Sequence, residues 1–252
     1  MTKAEQWLAR RYQLERDQIL FFKHLFKQQW KAFIAQLQSG VPLEQALNVI
    51  DVVNQQFKDD LVLALQRAAS SGVNQAQAAV QAAAASTSAV PNVQPPVMSI
   101  DWTLVNENAK EWAQQYAYSE IGGITATTRK VLRQKVGDWL ASGQPLQQLM
   151  RDRQLVQLFG PQRAKLIAVT EVTRVYAEAN QLVFQQTGVQ KRRWNTANDE
   201  LVCPICGPLN GTVVGITEPF PGGIMLPPAH PNCRCWITPV VSEELDGTEH
   251  SG

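Results

Sequence analysis

Residues 203–235 read CPICGPLNGTVVGITEPFPGGIMLPPAHPNCRC, and they hold all four cysteines and one of the three histidines of the 252-residue chain. Cys203 and Cys206 form a C-x-x-C pair. His230 and Cys233 repeat that spacing as H-x-x-C, and Cys235 follows two residues later. A C-x-x-C turn sets two thiolates on one side, where one small cation can hold both. Tetrahedral zinc takes four such nitrogen or sulfur ligands, brought as two close pairs with a segment between them. Cys203, Cys206, His230 and Cys233 meet that requirement. Cys235 is the alternate ligand, because on an extended strand it faces the same way as Cys233.

The surroundings of this stretch suit a staple. KRRWNTA, from Lys191, is short and extended, and GTVV and CRCWITPVV read as two further short strands. The loop PFPGGIMLPP between them is rich in Gly and Pro, so the β-region has little core of its own and a metal would supply the missing stability. Asp199 precedes the C-x-x-C turn and is expected to cap it. The tail 241–252 is polar and expected to fray.

Upstream of the strands the pattern is helical. Leu8, Tyr12, Ile19, Phe22, Phe26, Trp30, Phe33 and Leu37 recur at spacings of three, four and seven, one stripe of a long helix. Ser39-Gly40 ends it and Pro42 restarts the chain. Leu43, Leu47, Ile50, Val53, Phe57, Leu61 and Leu65 continue the stripe to about Ala69, and a third, alanine-rich helix is expected after Ser70-Ser71-Gly72. These stripes read as a helical hairpin burying its own face, or as an aromatic stripe docked on a partner, with Phe21 and Trp7 lying off the main row. Residues 86–97, with three prolines, read as an extended connector.

Beyond the connector, Trp102, Val105, Ala109, Trp112 and Tyr116 define a helix expected to stop near Gly122-Gly123. Thr125 is expected to cap the next, in which Val131, Leu132, Lys135, Val136 and Trp139 line one face. The turn at Ser142-Gly143-Gln144-Pro145 repeats the stop and restart seen at Ser39-Gly40 and Pro42. After Gly160-Pro161 a strong helix runs to about Gln186, striped by Leu166, Val169, Val172, Tyr176, Ala179 and Val183, and Gly188 ends it. The expected organisation is α+β and mainly helical. It comprises a helical arm at 1–85, the linker at 86–97, a domain at 98–240 (helical to 188, then the small β-unit) and the tail at 241–252.

Composition limits the function. Hydrophobic residues make up 44% of the chain and the formal net charge is +1, so a real core is expected and no global charge draws the chain to nucleic acid or membrane. The opening lacks the apolar core of a signal peptide, and no run approaches a membrane span. A soluble chain in a reducing cytoplasm is expected, where clustered cysteines bind metal more often than they pair. Two disulfides in a mature particle are the rival reading. A glutaredoxin-like thiol site is weaker, since Gly207-Pro208 follows Cys206 at once and no βαβ context surrounds it. An HNH-type nuclease would need a general-base histidine besides any metal ligand, and His24 and His250 lie in a helix and a tail.

Charged residues outside the cluster read as structural first. Glu171 and Arg174 stand a helical turn apart, with Glu178 four residues on, and Glu171 falls between stripe residues Val169 and Val172. Lys191, Arg192 and Arg193 form one basic cluster, and Arg129, Lys130 and Arg133 another. Their contacts with DNA would run non-specifically through phosphates.

From about Asp101 to Pro239 the chain resembles the phage Mu F-like minor head proteins, the group that includes the SPP1-type head morphogenesis proteins. The residues that carry the resemblance are AKLIAVTEVTRVYAEAN, RRWNTANDELVCPICGPLNGTVV, EPFPGG and PPAHPNCRCW, in that order. What it implies is a structural virion component and no enzyme, assembled in the host bacterial cytoplasm and placed in the head near the portal vertex. The implied partners are the portal protein or the major capsid protein and, non-specifically, packaged DNA; no membrane and no small-molecule substrate are implied. The family's fold is one that metal can reinforce, and the Cys/His set here is complete. The helical arm is expected to carry the partner contact.

Overall fold

The computed structural model describes residues 3–88, 101–196 and 203–240. Much of the expected connector, the tail 241–252 and Asp199 lie outside these residues. Among the described residues the helices are α1 (Lys3–Gln38), α2 (Leu43–Ser88), α3 (Trp102–Ser142), α4 (Leu146–Met150), α5 (Arg153–Leu158) and α6 (Pro161–Gln186). The strands β1 (Lys191–Asn195), β2 (Val213–Gly215) and β3 (Trp236–Val240) form one antiparallel sheet in the order β2-β1-β3. The chain is mainly helical α+β, as its sequence pattern leads one to expect. It divides into two compact units, Met1–Ala68 with Lys110–Val172, and Ala69–Ala109 with Thr173–Gly252.

In the first unit, Phe33, Leu47 and Ile50 share one core with Leu132, Val136, Leu149 and Leu155. Helices before and after the proline-rich segment therefore bury the same surface. Gly40 at φ 76° and Gly143 at φ 64° turn the chain after α1 and α3, a conformation glycine adopts without Cβ strain. Asp152 caps α5, accepting from the N–H groups of Gln154 at 2.9 Å and Leu155 at 3.1 Å, and it pairs with Lys135 at 3.3 Å. Arg163 donates to Thr128 Oγ1 at 3.1 Å and Leu158 O at 3.0 Å, and lies over Phe26 at 4.7 Å. Burial pulls its guanidinium down to about 10.

The buried row of α1 departs from the expected stripe. Phe33 and Phe26 are fully buried, but Ile19 is only half-buried and Tyr12 is 50% exposed. These four residues are spaced by sevens, and a straight helix of 3.6 residues per turn drifts by ~20° over each heptad. Steps of eleven follow the turn better, so Phe33, Phe22 and Arg11 are all buried. Arg11 is tolerated there because it pairs with Glu15 at 3.0 Å. In α6 the buried row begins at Ala164 and Ala168, and Leu166 is 44% exposed.

Two expected helix breaks are absent. α2 runs through Ser70-Ser71-Gly72 to Ser88, and no separate third helix forms. A Cβ on Gly72 would stand 2.9 Å from Ala179 Cβ and 3.3 Å from Tyr176 Cα, so this glycine lets α6 approach closely. Tyr176 locks the contact by donating from its hydroxyl to Ser71 Oγ at 2.6 Å. α3 likewise runs through Gly122 and Gly123. Each glycine costs a helix about 1 kcal/mol, too little to break one with buried residues on both sides, Ala117 and Ile124 among them. Thr125 is thus no cap. It accepts from Asn54 Nδ2, and Asn54 in turn accepts from the buried Gln29.

In the second unit, β1 alternates. Arg192 and Trp194 are fully buried, while Lys191, Arg193 and Asn195 face the other way.

Candidate metal centre

The Cys203–Cys206 turn is closed by its own backbone. Cys206 N–H donates to Cys203 O at 3.1 Å and Gly207 N–H to the same oxygen at 2.9 Å, while Cys206 N–H also points at Cys203 Sγ, 3.3 Å away. Both sulfurs are thereby presented on one side of the turn. His230 Nδ1 lies 2.8 Å from Pro231 O. A carbonyl only accepts, so Nδ1 carries the proton and Nε2 is left as the ligand atom. Nε2 stands 3.0 Å from Cys203 Sγ and 3.2 Å from Cys206 Sγ.

Cys233 is reached through a tight turn in which Asn232 takes φ 64° and Cys233 N–H donates to His230 O at 3.2 Å. Thr173 on α6 donates to Cys233 O at 2.7 Å and fixes this end of the site to the helix. Cys206 Sγ and Cys233 Sγ are 3.8 Å apart. That is far beyond a disulfide of ~2.05 Å. It equals the ~3.8 Å edge of a tetrahedron built on Zn–S bonds of about 2.3 Å. None of the four cysteines is joined in a disulfide. The donors fall into two overlapping groups, Cys203 with Cys206 and His230, and Cys206 with Cys233 and Cys235, each with ligand atoms within 4.8 Å of one another. Three of the expected ligands, Cys203, Cys206 and His230, form one group, the fourth, Cys233, lies with Cys206 and Cys235 in the other, and Cys206 belongs to both.

The thiols are unequal. Hydrogen bonding with Cys235 outweighs burial and holds Cys233 down at about 5. Burial and the neighbouring Cys233 push Cys206 up to about 12, and the bond to Cys233 raises Cys235 as well. Burial opposes ionisation of Cys203, but the N–H groups of Cys206 and Ile205 and the nearby His230 bring it below the ordinary thiol value. His230 is raised despite its burial, through its bond to Pro231 and the charges of Cys233 and Cys203. A metal ligand must be deprotonated, so a protonated Cys206 has to release its proton on binding. Zinc added to the apo chain at pH 7 in weak buffer is therefore expected to acidify the solution, and apparent affinity is expected to rise with pH. A pH electrode during titration checks this; uptake of zinc with no proton release would contradict it.

Around the centre the structure shows supports that spacing does not reveal. Arg192, expected among the DNA-contacting cations, is fully buried and cannot reach a phosphate. It donates to Gln181 Oε1 and, at 2.8 Å, to Glu218 O, and it lies over Phe220 at 5.3 Å. Gln181 donates to Ile216 O at 2.9 Å, and Glu218 Oε2 accepts from Gly215 N–H at 2.9 Å. Trp194 meets Phe220 edge to face at 5.1 Å. The EPFPGG segment is thus a plug beneath the sheet. Its signal in the sequence was a lone Phe among glycines and prolines.

The remaining candidates are placed as follows. Glu171 is buried and accepts from the hydroxyl of Tyr116. Arg174 is half-buried; burial raises Glu178, and Arg174 and Arg192 oppose that shift. Arg129 pairs with Asp51, and Arg133 grips both oxygens of Glu44 at 2.8 Å. Lys130 and Lys191 are exposed.

Residues 130–238 match the family model described as Phage Mu protein F like protein. The chain carries a Mu F-like domain. The domain runs from within α3 into β3 and encloses the whole Cys/His cluster together with Arg192, Trp194 and the Phe220 plug. No curated protein and no solved structure matches the chain. No helix among the described residues is long and apolar enough to cross a membrane. A Mu F-like domain points to phage head morphogenesis, and its Cys/His groups are placed where they could hold a metal ion.

Proposed function

We propose that this chain is a phage minor head protein that docks at the portal vertex or inner capsid and assists head morphogenesis, DNA packaging or ejection without catalysing a reaction. The observation that carries this reading is the Mu F-like match over residues 130–238. Zinc held by Cys203, Cys206, His230 and Cys233 or Cys235 is the staple that closes the domain, and the donor set is soft enough to favour it over hard cations. The chemistry it would supply is structural, since thiolate and imidazole donors on the Cys203 turn and on the Cys233 strand would be tied through one ion. His230 turns its Nε2 to the thiols, and His24, on α1 beside Phe57 at 5.4 Å, belongs to neither donor group among the described residues, so the metal-dependent nuclease is the less supported reading. Lys130, Lys191 and Arg193 are the cations assigned to non-specific contact with packaged DNA.

Purified heads test the assignment. Immunoblotting is expected to find the chain in DNA-filled heads, at far fewer copies than the major capsid protein. Its absence from heads assembled in cells that express it would overturn the reading.

A further inference from the structure

The α1/α2 hairpin lies outside the Mu F-like match and carries a groove of about 550 Å³. Its walls include Lys31, Ala32 and Ala35 on α1 and Val49, Val52 and Phe57 on α2. Both rims continue at helical spacing, through Leu20, His24, Lys27 and Lys31 on α1 and through Val52, Gln56, Asp59 and Leu63 on α2. Leu20, Val52 and Leu63 are 59%, 56% and 50% exposed. Single exposed apolar residues are ordinary, but three along the two rims of one groove mark a contact surface. The α1 rim from Leu20 to Ala35 measures about 22 Å, room for four turns of a third helix. Ala32 and Ala35 make one wall low, so a backbone can approach it, and Val52 and Phe57 stand as the opposing ridge.

Charge narrows the occupant. Lys31 lines the groove and Lys27 is exposed beside it, so the half nearest the α1–α2 turn offers cations. The residues lining the groove include no carboxylate, and the rim row on α2 meets Asp59, with exposed Asp60 beside it, towards Leu63. We propose that this groove docks one amphipathic helix of a partner head protein, its apolar face on Val49, Val52 and Phe57 and its carboxylates over Lys27 and Lys31. The apolar face supplies the affinity, and the rim charges set direction and register. The inference rests on the head-protein reading only for where the partner is to be found.

Photo-crosslinking tests it in the full chain. Benzoylphenylalanine is placed at Val52 during head assembly, with Tyr12, exposed and off the groove, as the control position. Val52 is expected to capture one head protein at a segment with apolar residues every three or four positions and Asp or Glu on its flank. Lys27→Glu with Lys31→Glu is expected to cut that yield at least tenfold while circular dichroism stays unchanged. Capture of a second copy of this chain, capture of a basic or non-helical segment, or a yield at Val52 no higher than at Tyr12 would overturn the proposal. A chain that enters heads while Val52 captures nothing sinks the groove and leaves the head-protein reading standing. Absence from heads, with an acidic helix still captured at Val52, does the reverse.

Discussion

Cys206→Ser is expected to abolish zinc binding and to lower the melting midpoint by on the order of 10 °C, whereas Cys235→Ser keeps the metal and shifts the midpoint by a small fraction of that. The asymmetry follows from geometry. Cys206 belongs to both donor groups, 3.2 Å from His230 Nε2 and 3.8 Å from Cys233 Sγ, so without it Cys203 with His230 and Cys233 with Cys235 are left as two separate pairs. Cys233 and Cys235 sit in the same group and can replace one another. Loss of a structural metal belongs with the few changes that exceed about 4 kcal/mol. In a chain of this size each kcal/mol moves the midpoint by roughly 2–4 °C. Metal analysis and thermal melts of the two variants decide it. A Cys206→Ser protein that retains a full equivalent of zinc would refute the shared-ligand geometry.

Trp194→Ala is the second large effect, expected to cost about 3–5 kcal/mol. The indole is fully buried, packs edge to face on Phe220 at 5.1 Å, and sits on the central strand opposite Ile237. Its backbone also closes the loop after the cysteine turn, with Trp194 N–H donating to Thr212 O and Gly211 N–H donating to Trp194 O, both at 2.9 Å. Removing the ring therefore loosens the sheet and the turn that presents Cys206 together. Trp194→Phe is expected to cost much less, because the indole N–H has no hydrogen-bond partner to lose and an aromatic ring still meets Phe220. Chemical denaturation of both variants checks the pair. Equal losses for Ala and Phe would show that the ring packing does not hold the sheet.

The features legible in the sequence were those set by local chemistry. Gly40, Gly143 and Gly188 mark turns because they take positive φ, and the C-x-x-C and H-x-x-C spacings name the donors. The misread features depend on what a distant segment does. Gly72 reads as a stop because glycine usually is one; its role is visible only once the backbone of α6 lies 3.3 Å from where a Cβ would stand. Arg192 sits in a run of three cations that reads as a solvated face. The strand alternation turns its side chain inward, where Gln181 and the carbonyl of Glu218 accept from its two terminal nitrogens. Thr173 carried no signal at all, being a mid-helix threonine whose acceptor is sixty residues away. On α1 the difference is one of period: a heptad row matches the buried face at Phe33 and Phe26 and leaves it at Tyr12, where Arg11 and Glu15 take the buried position as a pair.

The most direct test of the head-protein assignment is co-sedimentation of the full chain with a portal protein from the same source, at low and at high salt. A docking surface built on apolar contact predicts association that persists at high salt. No association with the portal at either salt, accompanied by salt-sensitive binding or cleavage of duplex DNA, would contradict the assignment and move this chain among the nucleic-acid proteins.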